Sequence, residues 1–167
     1  AKDAYHEAFS GLLNAERGRV YFDKKPRVCI RGGEKTDRNA GEGDIGYEWL
    51  DKKNIFPFLE LRAAAIDRRQ ANGQLQPFDE EMRANTRRRI EAQLHTLKDN
   101  AVKYVVLSAF GCGAFQNPPT EIAALYRSVI SHMCKDFHVI AFAIFAPGYG
   151  PDNNLDMFEK EFKDCLL

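Results

Sequence analysis

The stretch that decides the fold is VVLSAFGCGAFQNPP, residues 105–119. Its apolar beginning predicts a buried strand, which ends where two glycines flank Cys112. Two prolines then stiffen a turn, and the apolar spacing that follows predicts an amphipathic helix. A strand, a loop of small residues and a helix amino terminus, in that order, leave backbone N–H groups free to surround an anion. Since ligands of parallel α/β sheets bind at the carboxyl ends of strands, we expect the function to be centred on residues 111–117.

The loop has a second interpretation. It lacks the lysine of a phosphate-binding P-loop, and it is not the GxGxxG pattern of a dinucleotide-binding fold. A tight turn, in which Gly111 and Gly113 only allow the strand and the helix to pack closely, therefore stays open as the alternative to an anion-binding loop.

The order of apolar patterns predicts an α/β fold. Strands are predicted at residues 28–30, 55–65, 104–109 and 139–145. The last two runs are typical of parallel strands that are covered on both faces. Helices alternate with strands from residue 79 onward. This alternation predicts a three-layer α/β/α sandwich with a mostly parallel or mixed central sheet, and the length suits one domain over residues 1–167.

The remaining segments carry helix and loop signals. Four helices are predicted. The first covers residues 4–13, and the last runs through Phe158 and Phe162. Between them, one helix begins after a cap at Asp79 and another begins after the two prolines, with Thr120 as its cap. Residues 32–46 are rich in glycine and charge, which predicts a long exposed loop. The triplet Arg87-Arg88-Arg89 is interpreted as a solvated helix face.

Composition restricts the class of protein. Lys+Arg and Asp+Glu both number 24, so no net field favours nucleic acid as a partner. No apolar run approaches the ~20 residues of a membrane span. Four widely spaced cysteines form no CxxC pair, so we expect no metal site. Free cysteines suit a reducing compartment, which predicts a cytoplasmic protein. The cytoplasm in question could also be that of another cell, if the protein is delivered there. The beginning has no signal-peptide pattern and no methionine, so we expect a processed chain or part of a longer one.

Residues 106–119 resemble the LGAxGCGxFxNPP signature of microbial-type poly(ADP-ribose) glycohydrolases, which have a macrodomain fold. The resemblance continues through residues 122–124, residues 142–144 and the ending around Asn153, Asn154 and Phe158. It implies that the partner is ADP-ribose or ADP-ribosylated protein, and we expect a monomer without a cofactor. The ligand-binding residues that it implies are Gly111, Cys112, Gly113, Ala114, Phe115 and Asn117 around the diphosphate and distal ribose, and Phe145 and Asn153 around the adenosine.

The catalytic residues follow less directly from the resemblance. The family has a GGG loop followed by QEE, and this chain has no such combination. A weak alignment places Asp3 at the first glutamate and Ala4 at the second. Cleavage of an ADP-ribosyl bond needs a carboxyl group that protonates the leaving oxygen or activates water. The candidates are Asp3, Asp67 and Asp44, and a solvated carboxylate is the alternative interpretation for each.

Three functions remain open from the sequence. The first, which we favour, is a hydrolase that removes ADP-ribose from modified protein. The second is a reader, which binds ADP-ribose without cleaving it, and the missing QEE favours this alternative. The third is a subdomain that supports a partner or a larger protein.

Overall fold

The computed structural model describes residues 2–34, 47–144 and 153–165. The helices are α1 (Lys2–Leu13), α2 (Glu80–Asp99), α3 (Pro119–Met133) and α4 (Asn154–Phe162). The strands are β1 (Tyr21–Cys29), β2 (Arg31–Glu34), β3 (Tyr47–Trp49), β4 (Phe56–Arg62), β5 (Tyr104–Leu107) and β6 (Val139–Phe142). The described chain is therefore a mixed α/β protein. It divides into two compact units, one of them Phe22–Leu61 and the other made from Ala1–Tyr21 and Arg62–Leu167.

The described strands pair two by two. β1 pairs with β4, and β2 pairs with β3 in antiparallel fashion. β5 and β6 are parallel, as their apolar runs predict, with Tyr104 opposite Val139 and Leu107 opposite Phe142. The described residues thus include sheets of two strands only, and the central sheet of a three-layer sandwich stays a prediction.

The second face of β5 corrects one expectation. Val105 and Leu107 are 6% and 8% exposed, whereas Tyr104 and Val106 are 71% and 73% exposed. Because successive side chains of a strand point to opposite faces, one face of β5 is buried and the other is open to solvent. The prediction that this strand is covered on both faces is therefore wrong for β5.

Helices α2 and α3 form the core of the larger unit. Its largest fully buried side chains are Ile90, Leu94, Ile122 and Tyr126. An aromatic cluster continues the core toward α4, since the ring of Phe142 lies 5.2 Å from Tyr126 and 5.0 Å from both Phe158 and Phe162, centroid to centroid. This packing fixes the carboxyl end of β6 against α3 and α4.

The capping predictions had mixed outcomes. The Asp79 carboxylate accepts a hydrogen bond from the backbone N–H of Met82 at 2.9 Å, which confirms it as the cap of α2. Thr120 is wrong as the cap of α3, because the helix begins at Pro119 and Pro118 holds the cap position without a side-chain bond. Proline at the first helical position needs no N–H acceptor, so the helix begins two residues earlier than a cap at Thr120 predicts.

The arginine triplet is not wholly a solvated face. Arg89 is only 9% exposed, and its guanidinium donates to the Asn14 Oδ1 at 2.7 Å and to the Ala64 carbonyl at 2.6 Å. Burial lowers the pKa of Arg89, and the neighbouring charge of Arg88 adds to this effect. The solvated interpretation is wrong for this residue, because three consecutive helical positions cannot all face outward.

The smaller unit contains two strand pairs. None of its described residues is buried. Arg31 lies over the ring of Trp49, with its central carbon 3.3 Å from the ring centroid, and it donates to the Tyr47 carbonyl at 2.7 Å. Arg31–Glu34 forms strand β2, so the predicted loop at 32–46 is wrong at its beginning. Residues 35–46, and with them Asp44, lie outside the described residues.

Candidate ligand-binding site

The loop between β5 and α3 is closed by its own backbone. The Cys112 N–H donates to the Ala109 carbonyl at 3.0 Å, and the Gln116 N–H donates to the Gly113 carbonyl at 2.9 Å. The Asn117 N–H then reaches back to the Gly111 carbonyl at 3.0 Å. These bonds make residues 109–117, which we call the ligand loop, a compact double turn at the carboxyl end of β5.

The two glycines of the ligand loop have different roles. Gly111 has a φ of +76°, and a Cβ there would lie 2.4 Å from the Asn117 Nδ2 and 2.6 Å from the Ala65 Cβ. It is therefore a packing glycine in a left-handed conformation. A Cβ at Gly113 would meet no atom within 4 Å. Close packing does not explain Gly113, whose missing side chain leaves open space beside the loop.

The polar groups of the ligand loop are unequally satisfied. The carbonyls of Gly111, Gly113, Phe115 and Gln116 all accept hydrogen bonds. By contrast, the backbone N–H groups of Gly113, Ala114 and Phe115 donate to no acceptor among the described residues. Three consecutive donors without acceptors in the described chain, beside carbonyls that are occupied at Gly111, Gly113, Phe115 and Gln116, give this segment the polarity of a candidate anion site.

The buried side chain of Asn117 stabilises the ligand loop through hydrogen bonds to its backbone and to the preceding segment. It is only 2% exposed, and its Nδ2 donates to the Ile66 carbonyl at 2.8 Å and to the Gly111 carbonyl at 3.1 Å. Its Oδ1 is buried and accepts no hydrogen bond from the described chain. The side chain thus ties the loop to the segment that follows β4, and a direct contact with ligand stays a prediction.

Arg68 is a residue that the sequence interpretation missed. Its backbone N–H donates to the Phe115 carbonyl at 3.3 Å, and its guanidinium donates to the Gln116 carbonyl at 2.6 Å. The same guanidinium donates to the Gln76 carbonyl at 2.8 Å. The only signal in the sequence was the turn-forming run at residues 70–73, which indicated a reversal of the chain but not its neighbour.

Asp67 lies beside the ligand loop as an ion pair with Arg69. Its two carboxylate oxygens accept from the Arg69 guanidinium at 2.9 and 2.7 Å. This side-chain hydrogen bond, together with the backbone N–H of Arg69, lowers the pKa of Asp67 to about 2. At neutral pH the carboxylate is fully ionised and holds no proton to donate. The Arg69 guanidinium lies over the ring of Phe115, 5.4 Å from its centroid.

The other predicted residues are placed as follows. Cys112 is half-buried, and its Sγ donates weakly to the Phe110 carbonyl at 3.9 Å. Asp3 lies in the first turn of α1, and only its backbone is among the described parts of the chain. Asn153 is exposed at the start of α4 and does not cap that helix with its side chain. Phe145 lies outside the described residues.

The described residues contain neither a group of metal ligands nor a membrane-spanning helix. Within residues 2–34, 47–144 and 153–165, no three histidine, cysteine or acidic side chains are grouped as metal ligands would be. No helix in the same ranges has the length and apolarity of a membrane span.

Comparison with solved structures identifies the fold. Two crystal forms of poly(ADP-ribose) glycohydrolase from Deinococcus radiodurans, both in complex with ADP-ribose, match 96% of this chain with TM-scores of 0.68 and 0.69. The sequence identities are 20% and 18%. The chain has a poly(ADP-ribose) glycohydrolase-like fold. A mutant of the same enzyme matches 74% of the chain, with 23% identity and a TM-score of 0.61.

The match covers only part of the solved glycohydrolase structures. The chain spans 60% and 61% of the length of the two Deinococcus radiodurans structures. No protein-family model and no curated protein matches the sequence. The fold-level likeness agrees with the family resemblance of residues 106–119, and the low identities mark the chain as divergent.

Proposed function

We propose that this chain binds ADP-ribose, with the ligand loop as the diphosphate site. The observation that carries the proposal is the pairing of open space at Gly113 with unsatisfied N–H groups at Gly113, Ala114 and Phe115. A diphosphate supplies acceptors for several donors at once, and a hydrogen bond to a charged acceptor contributes about 1.5–3 kcal/mol. ADP-ribose is the ligand of the Deinococcus radiodurans glycohydrolase structures with the same fold.

The rest of the proposed site follows from the family resemblance. Phe145 and Asn153 are proposed to contact the adenosine, and Phe115 the distal ribose. The fold is proposed to be a macrodomain-like, three-layer sandwich that acts as a monomeric single domain in the cytoplasm. The parallel pairing of β5 with β6 supports this arrangement, since the ligand loop then begins at the carboxyl end of a parallel strand.

Removal of ADP-ribose from modified protein is the proposed activity, and Asp3 is the candidate carboxylate in α1. Its role would be to protonate the leaving oxygen or to activate water, while the bound diphosphate and the loop donors orient the ribosyl group. Asp67 does not suit the acid role, because its ion pair with Arg69 keeps it ionised.

A reader without catalytic activity is the second candidate. Two observations favour it: Ala4 stands where the weak alignment expects the second glutamate, and Asp67 is engaged by Arg69. Both candidates use the same ligand loop. They differ only in whether a carboxyl group reaches the ribosyl bond.

Two experiments test these proposals in order. Calorimetric titration with ADP-ribose, with AMP as the control, is expected to give binding that is much tighter for ADP-ribose. Equal affinities, or no binding, would contradict the proposed site. Release of ADP-ribose from ADP-ribosylated protein is then measured for the wild type and for Asp3→Asn. Turnover that the substitution abolishes supports the hydrolase, whereas tight binding without turnover supports the reader.

A further inference from the structure

A short hairpin, residues 67–76, lies against the ligand loop. An antiparallel bridge joins Arg69 to Leu75, and the Gln76 N–H donates to the Arg68 carbonyl at 2.8 Å. At its tip, Gly73 adopts a φ of +80°. Since only glycine adopts this conformation without strain, the turn has a defined geometry. We call this element the 67–76 hairpin.

The hairpin grips the backbone of the ligand loop through Arg68. Three hydrogen bonds from this one residue reach the carbonyls of Phe115, Gln116 and Gln76. The backbone N–H of Arg68 donates to Phe115, and its guanidinium donates to Gln116 and Gln76. A guanidinium holds its donors in a planar fork, so its two bonds fix the ligand loop and the hairpin relative to each other. The bonds to Phe115 and Gln116 also occupy two carbonyl oxygens next to the unsatisfied N–H groups, where an exposed carbonyl would repel an anion.

The hairpin holds the ring of Phe115 through Arg69. The Arg69 guanidinium lies 5.4 Å from the ring centroid, which is within the range of a cation–π contact. Asp67 fixes that guanidinium with two hydrogen bonds, and its Oδ1 also accepts a hydrogen bond from the Arg69 backbone N–H at 3.0 Å. The pair on residues 67 and 69 therefore restricts the positions that the Phe115 ring adopts.

We propose that Arg68 and Arg69 are positioning residues for the ligand, with Arg68 orienting the diphosphate-binding backbone and Arg69 orienting Phe115 against the distal ribose. This inference rests on the proposed function, in that it takes ADP-ribose as the ligand. It assigns separate halves of the ligand to neighbouring arginines, and this separation can be measured with ADP, which lacks the distal ribose.

The test titrates ADP and ADP-ribose into the wild type, Arg68→Ala, Arg69→Ala and Arg19→Ala. Arg19 is the matched control, because its removal changes the net charge equally and its partner is Asp99 at 2.6 Å, away from the ligand loop. We expect Arg68→Ala to lower the affinities for ADP and for ADP-ribose by about tenfold or more, which corresponds to the loss of roughly one charge-assisted hydrogen bond. Arg69→Ala is expected to lower the affinity for ADP-ribose at least about threefold more than the affinity for ADP. Arg19→Ala is expected to change neither affinity.

A readout without ligand completes the test. Alkylation of Cys112 by iodoacetamide, followed by mass spectrometry, reports the order of the ligand loop, and the exposed Cys134 serves as the internal reference. We expect Arg68→Ala to accelerate Cys112 alkylation by about fivefold relative to Cys134, since local opening exposes the thiol. Arg68→Gln replaces this variant if the alanine variant does not fold.

The outcomes separate the inference from the proposed function. If the wild type binds no ADP-ribose, the proposed function fails, and the ligand-positioning role fails with it. If the wild type binds ADP-ribose, but both arginine variants behave like Arg19→Ala in affinity and alkylation, the positioning role is overturned while the function stands. Parallel losses for ADP and ADP-ribose in Arg69→Ala would overturn the assignment of Arg69 to the ribose.

Discussion

Gly111 and Gly113 lie two residues apart in the ligand loop, and alanine is expected to have opposite effects at the two positions. At Gly111 the methyl group would meet the Asn117 amide at 2.4 Å and the Ala65 Cβ at 2.6 Å. The left-handed φ adds about 1–2 kcal/mol of strain, and overpacking adds about 1–3 kcal/mol. Gly111→Ala should therefore lower the free energy of unfolding by about 2–5 kcal/mol.

At Gly113 the methyl group would meet nothing within 4 Å. Stability should change by about 0.5 kcal/mol or less, as for other substitutions that remove no contact. Affinity is expected to behave differently, because the new methyl group enters the space assigned to the diphosphate. Loss of one hydrogen bond to a charged oxygen, about 1.5–3 kcal/mol, corresponds to roughly 10- to 100-fold weaker ADP-ribose binding.

Thermal unfolding and calorimetry measure the two effects separately. For a domain of this size, about 2–4 °C in Tm accompanies each kcal/mol. Gly111→Ala should lower Tm by roughly 5–20 °C, whereas Gly113→Ala should leave Tm almost unchanged. A Gly113→Ala variant with wild-type affinity for ADP-ribose would refute the assignment of the diphosphate to this loop. A large fall in its Tm would refute the distinction between a packing glycine and a ligand glycine.

Three further predictions follow from named contacts. Asn117→Ala removes both amide hydrogen bonds and should lower the free energy of unfolding by about 2–4 kcal/mol, measured by urea denaturation. Asp67 has a lowered pKa, so any stabilisation from its pair with Arg69 is complete above the ordinary pKa of 3.8 and is lost as pH falls toward about 2. ADP-ribose affinity should accordingly show no Asp67 titration between pH 5 and pH 8; an inflection there that Asp67→Asn removes would contradict this. Asp79→Ala removes the cap bond to Met82 and should cost about 1 kcal/mol, measured as a small fall in Tm.

Patterns within short stretches of sequence were enough to predict the helices, two of the strands and the ligand loop. The helices and the strands β5 and β6 follow from apolar patterns, and the Asp79 cap follows from the chemistry of the first helical turn. The ligand loop was located because glycines and prolines interrupt the chain at one point. Each of these signals lies within about 20 neighbouring residues, which is the range that periodicity reports.

Contacts between distant segments were beyond those patterns. The role of Arg68 depends on residues 47 and 48 positions further along the chain, and Arg89 is buried by acceptors on two other segments. The exposed face of β5 has the same cause, since an apolar sequence shows that a strand can be covered, not which element covers it. Asp67 was singled out for its position after a strand, and its engagement by Arg69 became visible only in three dimensions.

In the proposed function, ADP-ribose binding and catalysis depend on different parts of the chain. The polarity of the ligand loop arises from the backbone, because internal partners occupy the carbonyls of Gly111, Gly113 and Phe115 and leave consecutive N–H donors unsatisfied in the described chain. Backbone donors persist through most side-chain substitutions, so the proposed anion site does not depend on which side chains surround it. A catalytic carboxyl group is a side chain and is lost by a single substitution. The proposed ligand loop therefore supports ADP-ribose binding equally for a hydrolase and for a reader, and the position of one carboxylate decides between them.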